Sequence, residues 1–580
     1  MLADDLGWRD LSCTGSTYFQ TPNIDALAAG GMRFTDAYAA SPSCSPTRSS
    51  ILTGCYPART RITNPGGGSA SEILEGQEND RAPRHEKVAS ATSATRLNLK
   101  FKTIAQSTKE AGYATAFFGK WHLGRDPHLP ENFGFDTVVG GRHFSGPPFS
   151  TYFGPWAKDA NMPDVASGAH ADDVITTEAV QFIKKQHEAG QPFFIFLWFY
   201  SVHGPFESKE ELVKKYAALK DPENPQRSPT MAAMIHVLDE NVGRVEKALQ
   251  ELGIERDTVV IFTPDNGGNM YNVVDGTTPT NNAPLAQGKG HSREGGVRVP
   301  LIVKYPPLVK AGQVSGARVG SPDFYPTVLD LAGLPLEPET HLDGVNFKAA
   351  LQGRPFDRPA MLTHQPHNMH SSSIYEGNWK LTRFWHHGDD HAHRNELYDL
   401  AADAGETRNL APDHPDVVQR LSRILDTKIE STGALRPRKN LNFEGTAVGS
   451  WSGEDGARVS LTAPDILRVE GLAGGLITAH NGPVAREGFF VAFEARSPGG
   501  MHLEVLHGRG LGSKREVLPT PGAEAAVDAG GEWQPFKVFV DSSAKVTSVS
   551  LRLKSEGAVE IKNIRPLTPD GSPMSAYWYF

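Results

Sequence analysis

The sequence predicts an α/β protein with a mixed, mostly parallel sheet flanked by helices, then a small α+β C-terminal subdomain and an appended all-β sandwich of jelly-roll type. Three observations predict it. Residues 1–355 alternate short apolar runs with amphipathic stretches, the pattern of a sheet covered on both faces. Residues 356–436 form a shorter unit that closes on a helix. Over 440–580 the composition shifts to short alternating runs separated by Gly-rich or polar turns, the signature of a β-sandwich.

In the first unit, Phe193–Tyr200, Thr258–Phe262 and Val299–Val303 read as strands, and Asp172–Glu188 and Thr230–Leu252 as helices. In the second helix Met234, Val237, Leu238, Val242, Val245 and Leu249 recur at helical spacing. The stretch Asn64–Asn98, rich in Gly, Ser, Ala, Thr and charge, reads as a long loop of the kind that borders a site. The second unit holds Trp379–Arg383, Glu396–Leu400 and a helix from His414 to about Thr432. In the third, Phe489–Glu494, Phe536–Val540 and Val546–Leu553 are strands, an architecture of the carbohydrate-binding sort that does not itself name a ligand.

Composition narrows the function classes. A chain of 580 residues with 39% hydrophobic and 22% charged residues and a net charge of −9 is an ordinary soluble protein. No broad basic face is available for nucleic acid, and no apolar run approaches the roughly 20 residues of a membrane-spanning helix. The three cysteines, Cys13, Cys44 and Cys55, do not fix a redox compartment, and a Cys13–Cys55 pairing stays open.

The most informative run is Cys44-Ser-Pro-Thr-Arg48-Ser-Ser-Ile-Leu-Thr-Gly54, which has the form C-x-P-x-R…L-T-G. Four further motifs follow the same order as in one family: Asp4-Asp5 with Leu6-Gly7, Gly119-Lys120-Trp121-His122-Leu123-Gly124, His203-Gly204-Pro205, and Asp265-Asn266 with Gly288-Lys289-Gly290. The chain thus resembles the type I formylglycine-dependent sulfatases, which implies an alkaline phosphatase-like fold. The resemblance further implies that a formylglycine-generating enzyme oxidises Cys44 to formylglycine. The hydrated aldehyde would attack sulfur and pass through a covalent sulfate ester. In the same family Trp-Lys-Leu and Glu-Leu-Tyr-Asp-Leu lie on a small antiparallel sheet.

A sulfate monoester needs charge compensation for its oxygens, a strong nucleophile and a proton for the leaving oxygen. Asp4 and Asp5 end the first strand and Asp265-Asn266 follow another, so a mostly parallel sheet brings both pairs to its carboxyl edge. Three carboxylates and an amide oxygen form a hard, all-oxygen set that favours Ca²⁺ over Zn²⁺. The resemblance adds residue 44 to that metal set. It also implies that Arg48 compensates charge beside the nucleophile, Lys120 holds a sulfate oxygen, His122 takes the proton that collapses the sulfate ester, and His203 with Lys289 faces the leaving oxygen. Each residue alone would pass for a solvated side chain, a turn or a core histidine. Their joint order is what carries the reading.

Met1 stands where a sulfatase finishes its first core strand. The expectation is a start placed at an internal methionine, or a trimmed chain, with the preceding strand and secretion signal missing, and a periplasmic or secreted location. Such a chain should be less stable and hold metal more weakly than one with the strand restored. For the substrate, Arg142, His143, Tyr152 and Trp156 form a polar and aromatic loop, and His364, His367, His370, Arg383, His386, His387, His391 and His393 concentrate in the small subdomain. Arg142, His143, His364 and Arg383 are the candidate substrate-binding residues. The 386–393 run reads equally as a solvated His-rich loop. The favoured substrate is a sulfated carbohydrate carrying galactose or N-acetylgalactosamine sulfate. A phosphodiester or phosphonate hydrolase of the same superfamily, and a non-catalytic sulfated-glycan-binding protein, stand as alternatives.

Overall fold

The structure, a computed structural model, describes all residues except 85, 220, 389–390, 444–446, 449–450, 455–456, 464–465, 471–472, 481–487, 510–515, 528–530, 541–547, 556, 572 and 575–580. Its first unit is organised by β1 (Leu2–Ala3), β2 (Met32–Tyr38), α1 (Cys44–Thr53), β3 (Ala114–Gly119), β4 (Thr137–Gly140), α2 (Ala171–Glu188), β5 (Phe193–Trp198), α3 (Pro229–Glu251), β6 (Val260–Pro264), β7 (Arg298–Lys304), β8 (Gln313–Ser315) and β9 (Val319–Gly320). The nine strands form one sheet in the order β9-β2-β7-β6-β1-β5-β3-β4, with β8 also pairing β2. Only β7 runs against its neighbours, β2 and β6, and the other pairings are parallel.

The expected strands and helices are present with shifted ends. Strand β5 stops at Trp198 because the next amides turn away from the ladder: Tyr200 N and Ser201 N donate to the buried carboxylate of Asp172, at 2.9 and 3.1 Å. Helix α3 starts at Pro229, whose missing N–H costs nothing at the first turn, and Ser228 Oγ caps it by accepting from Met231 N at 3.2 Å. Its apolar stripe packs with α2 on one face of the sheet, while Ile51, Leu52, Phe117 and Trp121 fill the other. Leu2 and Ala3 point to these opposite faces, as successive strand residues must.

Strand β1 is central but short. Leu2 lies beside Trp198 of β5 and Thr263 of β6. Before it, the space between β5 and β6 is a mostly apolar cavity of about 630 Å³ with Phe194, Phe196, Val259 and Ile261 in its walls. The Met1 ammonium donates to Ile261 O at 2.7 Å, and burial pulls its pKa down to about 5.

The second unit is an antiparallel sheet of β10 (Met361–Gln365), β11 (Ser371–Glu376), β12 (Trp379–Phe384) and β13 (Arg394–Asp399), backed by α4 (Pro415–Thr432) through Leu421, Leu425 and Ile429. A buried ion cluster fastens it to the first unit: Lys380 Nζ donates to Ser292 O at 2.8 Å and lies 3.0 Å from Glu294 and 2.8 Å from Glu406. The third unit packs a six-stranded sheet on a five-stranded one around Trp451, Leu467, Phe489, Leu503 and Leu551. Its strands Phe489–Arg496, Gln534–Val540 and Ser548–Lys554 match the expected runs, Val546 and Thr547 lying outside the described residues. All three cysteines are free, so the pairing left open by the sequence is not made.

One outcome follows. Lys380→Met removes the nearest cation from two buried carboxylates and should cost about 3–5 kcal/mol in denaturant unfolding, whereas a loss within the error of the wild type would show the cluster to be idle.

Candidate active site

Four adjacent parallel strands, β6, β1, β5 and β3, deliver their following residues to one edge of the sheet. After β1 come Asp4 and Asp5, after β6 Asp265 and Asn266, after β5 the turn to His203, and after β3 Lys120 and His122. Cys44 arrives separately, as the first residue of the fully buried α1, whose N-terminus carries the positive end of the helix dipole. Backbone contact sets the β3 turn: Gly119 has φ +103, and a Cβ there would lie 2.0 Å from Trp198 O.

The side chains meet as alternating charges. Arg48 holds Asp265 through Nε at 2.8 Å and Nη2 at 2.7 Å, and reaches Lys120 O with Nη1 at 2.7 Å. Lys120 Nζ is 2.5 Å from Asp4 Oδ2, Lys289 Nζ 2.7 Å from Asp5 Oδ2, and Asn266 Nδ2 donates to Asp5 Oδ1 at 2.9 Å. Ligand atoms of Asp4, Asp5, Cys44 and His203 all lie within 4.8 Å of one another. Every expected catalytic and metal-binding residue is therefore brought to this one place. His203 enters the possible donor set, which the sequence reading did not foresee, with Nε2 3.9 Å from Asp5 Oδ2.

The donor set keeps two unpartnered oxygens. Asp4 Oδ1 and Asn266 Oδ1 are buried without a hydrogen-bond partner. Burial, then the charge of Asp265, push the Asp4 carboxyl up to about 8 against the pull of Lys120 and Arg48. Burial works in the same sense on Asp5, but Lys289, His203 and Lys120 hold it below the ordinary carboxylate range. Two orphaned hard oxygens beside a strained carboxylate fit a divalent cation such as Ca²⁺. Burial raises the Cys44 thiol above its usual range despite Lys120 and Lys289, so an unmodified cysteine here is a poor nucleophile. Burial, then Lys120 and Arg48 drive His122 well below 6.5, and burial, then Lys289 and Lys120 do the same for His203. His203 Nδ1 donates to Gly204 O at 2.6 Å, which leaves Nε2 facing the cluster, and His122 Nδ1 is buried with no partner.

Several supporting residues went unforeseen. Tyr152 OH donates to Tyr200 O at 2.6 Å and His203 O at 2.8 Å, bracing the His203 turn, and Ser45 Oγ donates to His122 O at 2.7 Å. Tyr152 is fully buried, which corrects its expected place on a sugar-facing loop, and Trp156 is half-buried. Two substrate-binding expectations are also corrected. His364 is 2% exposed, with Nδ1 paired to Ser372 Oγ and Nε2 to Leu435 O, and Arg383 is held by Asp426 of α4. Both are committed to the small subdomain. Arg142 is tied to Glu131 at 2.9 Å. Its loop nonetheless borders the site, since a Cβ on Gly146 would lie 2.9 Å from His203 Nδ1, and one on Gly68 3.1 Å from His143 O.

The long loop borders the site as expected: a Cβ on Gly67 would lie 2.1 Å from His122 O. Histidines of the small subdomain pin that loop, His370 on Ser90 at 2.9 Å and His367 on Thr63, the residue just before it, at 2.8 Å. His364, His367 and His370 thus serve packing where the sequence reading offered them to a sugar.

This fold and this arrangement of charges define a class, and sequence comparison agrees. A family model described as Sulfatase matches residues 1–334, and one described as N-sulphoglucosamine sulphohydrolase, C-terminal, matches 289–432. The chain belongs to the sulfatase family, within the alkaline phosphatase-like superfamily, and is a sulfuric ester hydrolase. A sulfatase of Formosa agariphila is 30% identical over 504 residues, 75% of this chain and 87% of that protein. The N-acetylgalactosamine-6-sulfatase of Homo sapiens is 29% identical over 503 residues, 78% of this chain and 88% of that one. Among solved structures, Ps i-CgsB in complex with k-i-k-neocarrahexaose aligns with a TM-score of 0.62 and 26% identity, over 74% of this chain and 91% of its own. No described helix is long and apolar enough to cross a membrane.

The two imidazoles yield a pH test. A base whose folded pKa is depressed contributes stability above its unfolded value and loses it as pH falls. His122 and His203 should stay neutral at pH 6.5 in ¹⁵N-histidine spectra, and Tm should fall on acidification below 6.5. A charged imidazole at either position at pH 6.5 would contradict the assignment.

Proposed function

We propose that the protein hydrolyses sulfate monoesters on a sulfated carbohydrate bearing galactose or N-acetylgalactosamine sulfate, in a periplasmic or secreted setting. The single observation that carries the reading is the convergence of Asp4, Asp5, Cys44 and His203 within 4.8 Å, ringed by Arg48, Lys120 and Lys289. Three buried cations converging at a helix N-terminus suit a sulfate group. The sugar is supported by the N-acetylgalactosamine-6-sulfatases and the neocarrahexaose complex among the similar proteins.

Asp4, Asp5, Asp265, Asn266 and residue 44 would hold Ca²⁺, which when bound supplies positive charge to the sulfate oxygens. Formylglycine, formed from Cys44 by a formylglycine-generating enzyme, supplies the nucleophilic oxygen that a buried thiol lacks. Arg48 holds the Asp265 carboxylate in place through Nε and Nη2. Lys120 is positioned to bind a sulfate oxygen. His122, neutral with a free Nδ1, can take a proton from residue 44. His203 Nε2 and the Lys289 ammonium border Asp5 and face the leaving oxygen, and Lys289 keeps its proton because Asp5, Cys44, Tyr271 and Asp4 together outweigh the cost of burial. A phosphoester hydrolase with the same metal cradle is the competing chemistry.

Cys44→Ala should lower kcat/KM for sulfate release by at least about 10³-fold while leaving Tm within a degree or two. Retained turnover would overturn the nucleophile. On matched aryl esters sulfate should be preferred to phosphate, and the reverse order would favour the competing reading.

A further inference from the structure

The segment from Asn266 to Lys289 is one long loop with both ends in the active site and its tip in another unit. At its base, Gly268 O accepts from Lys289 N at 3.0 Å and from Asn282 Nδ2 at 3.2 Å, so the two ends are tied together. Its return half reaches the turn after Asp4 and Asp5. Thr280 Oγ1 donates to the buried Asp10 carboxylate, which also accepts Gly7 N at 2.7 Å, and Asn282 O accepts Trp8 Nε1 at 2.7 Å. Asp275 fixes one flank to the start of α3, accepting Ser228 Oγ at 2.7 Å and Thr230 N at 2.9 Å.

Between these ties lies Val273. It is buried at 7% exposure in the same apolar cluster as Trp451, Leu551 and Met574, the core of the C-terminal sandwich. An ion pair between Arg227 and Asp570, at 2.5 Å, joins the same two units. The family models match residues up to 432, so the unit that receives Val273 lies outside them. A valine on a polar loop gains its burial only from a partner, and without the sandwich it would face water. A loop held at its tip loses the local opening that a loop of this length otherwise shows.

We propose that the sandwich is a clamp on the active site, and that Val273 is the positioning residue through which it holds Lys289 and Asn266. The catalytic part of this proposal rests on the sulfatase reading, and the mechanical part does not. Lys289 stands at the leaving-group end, so loosening it should matter most when the leaving oxygen needs help. A sugar alkoxide needs that help and an activated phenolate does not.

The test uses the full chain carrying formylglycine. Val273→Ala should speed hydrogen exchange of amides in 266–289 about tenfold and lower kcat on a galactose or N-acetylgalactosamine sulfate about tenfold, with little change on an activated aryl sulfate. Val273→Ile should restore both. Wild-type exchange in 266–289 for Val273→Ala, or an equal loss on both substrate types, would overturn the clamp. A wild-type protein with no sulfatase activity but faster loop exchange on Val273→Ala would reject the sulfatase reading and leave the clamp standing.

Discussion

Everything at this site depends on neutralising three carboxylates buried next to one another. Asp4, Asp5 and Asp265 are each at most 1% exposed, and Lys120, Lys289 and Arg48 each face one of them. Buried charges cost several kcal/mol apiece unless paired with good geometry, and breaking such a pair is worse than never having formed it. The pairing is incomplete by design: Asp4 Oδ1 and Asn266 Oδ1 keep unused lone pairs. The protein spends stability on a site whose unpartnered oxygens fit a cation, and Lys120, Lys289 and Arg48, which quiet the carboxylates, are the groups an oxyanion would find.

The scaffold explains how that arrangement is held. Four strand ends in a parallel sheet fix most of the charged side chains from below, and the surrounding loops are tied down from outside. The Lys380, Glu294 and Glu406 cluster seats the small subdomain behind the segment that follows Lys289. His367 and His370 seat the long loop over His122. Charge that is geometrically fixed need not reorganise during reaction, which is the physical basis of electrostatic catalysis.

Residues near a strand end were legible in the sequence because two local signals coincide there, an apolar run and a polar motif directly after it. Asp4, Lys120, His203 and Asp265 all have that form. Cys44 and Arg48 were legible from spacing on one helix. His364, Arg383 and Tyr152 were misread because their partners, Ser372, Asp426 and the Tyr200 carbonyl, are set by tertiary pairing that composition does not encode. The same holds for Lys380, which lies in a strand run with nothing local to mark it as part of a buried cluster. The mostly parallel core and the antiparallel small sheet followed from apolar periodicity and the family resemblance. The seat of Val273 in the sandwich joins positions far apart in the chain, and no local pattern announces it.

The most direct test of the account is the mass of the peptide spanning Cys44 after co-expression with a formylglycine-generating enzyme, read alongside sulfate release from sulfated galacto- and glycosaminoglycan oligosaccharides. The account predicts a loss of about 18 Da at Cys44, as thiol becomes aldehyde, together with calcium-dependent release. Full conversion with Ca²⁺ present and no release from sugar or aryl sulfates would contradict it.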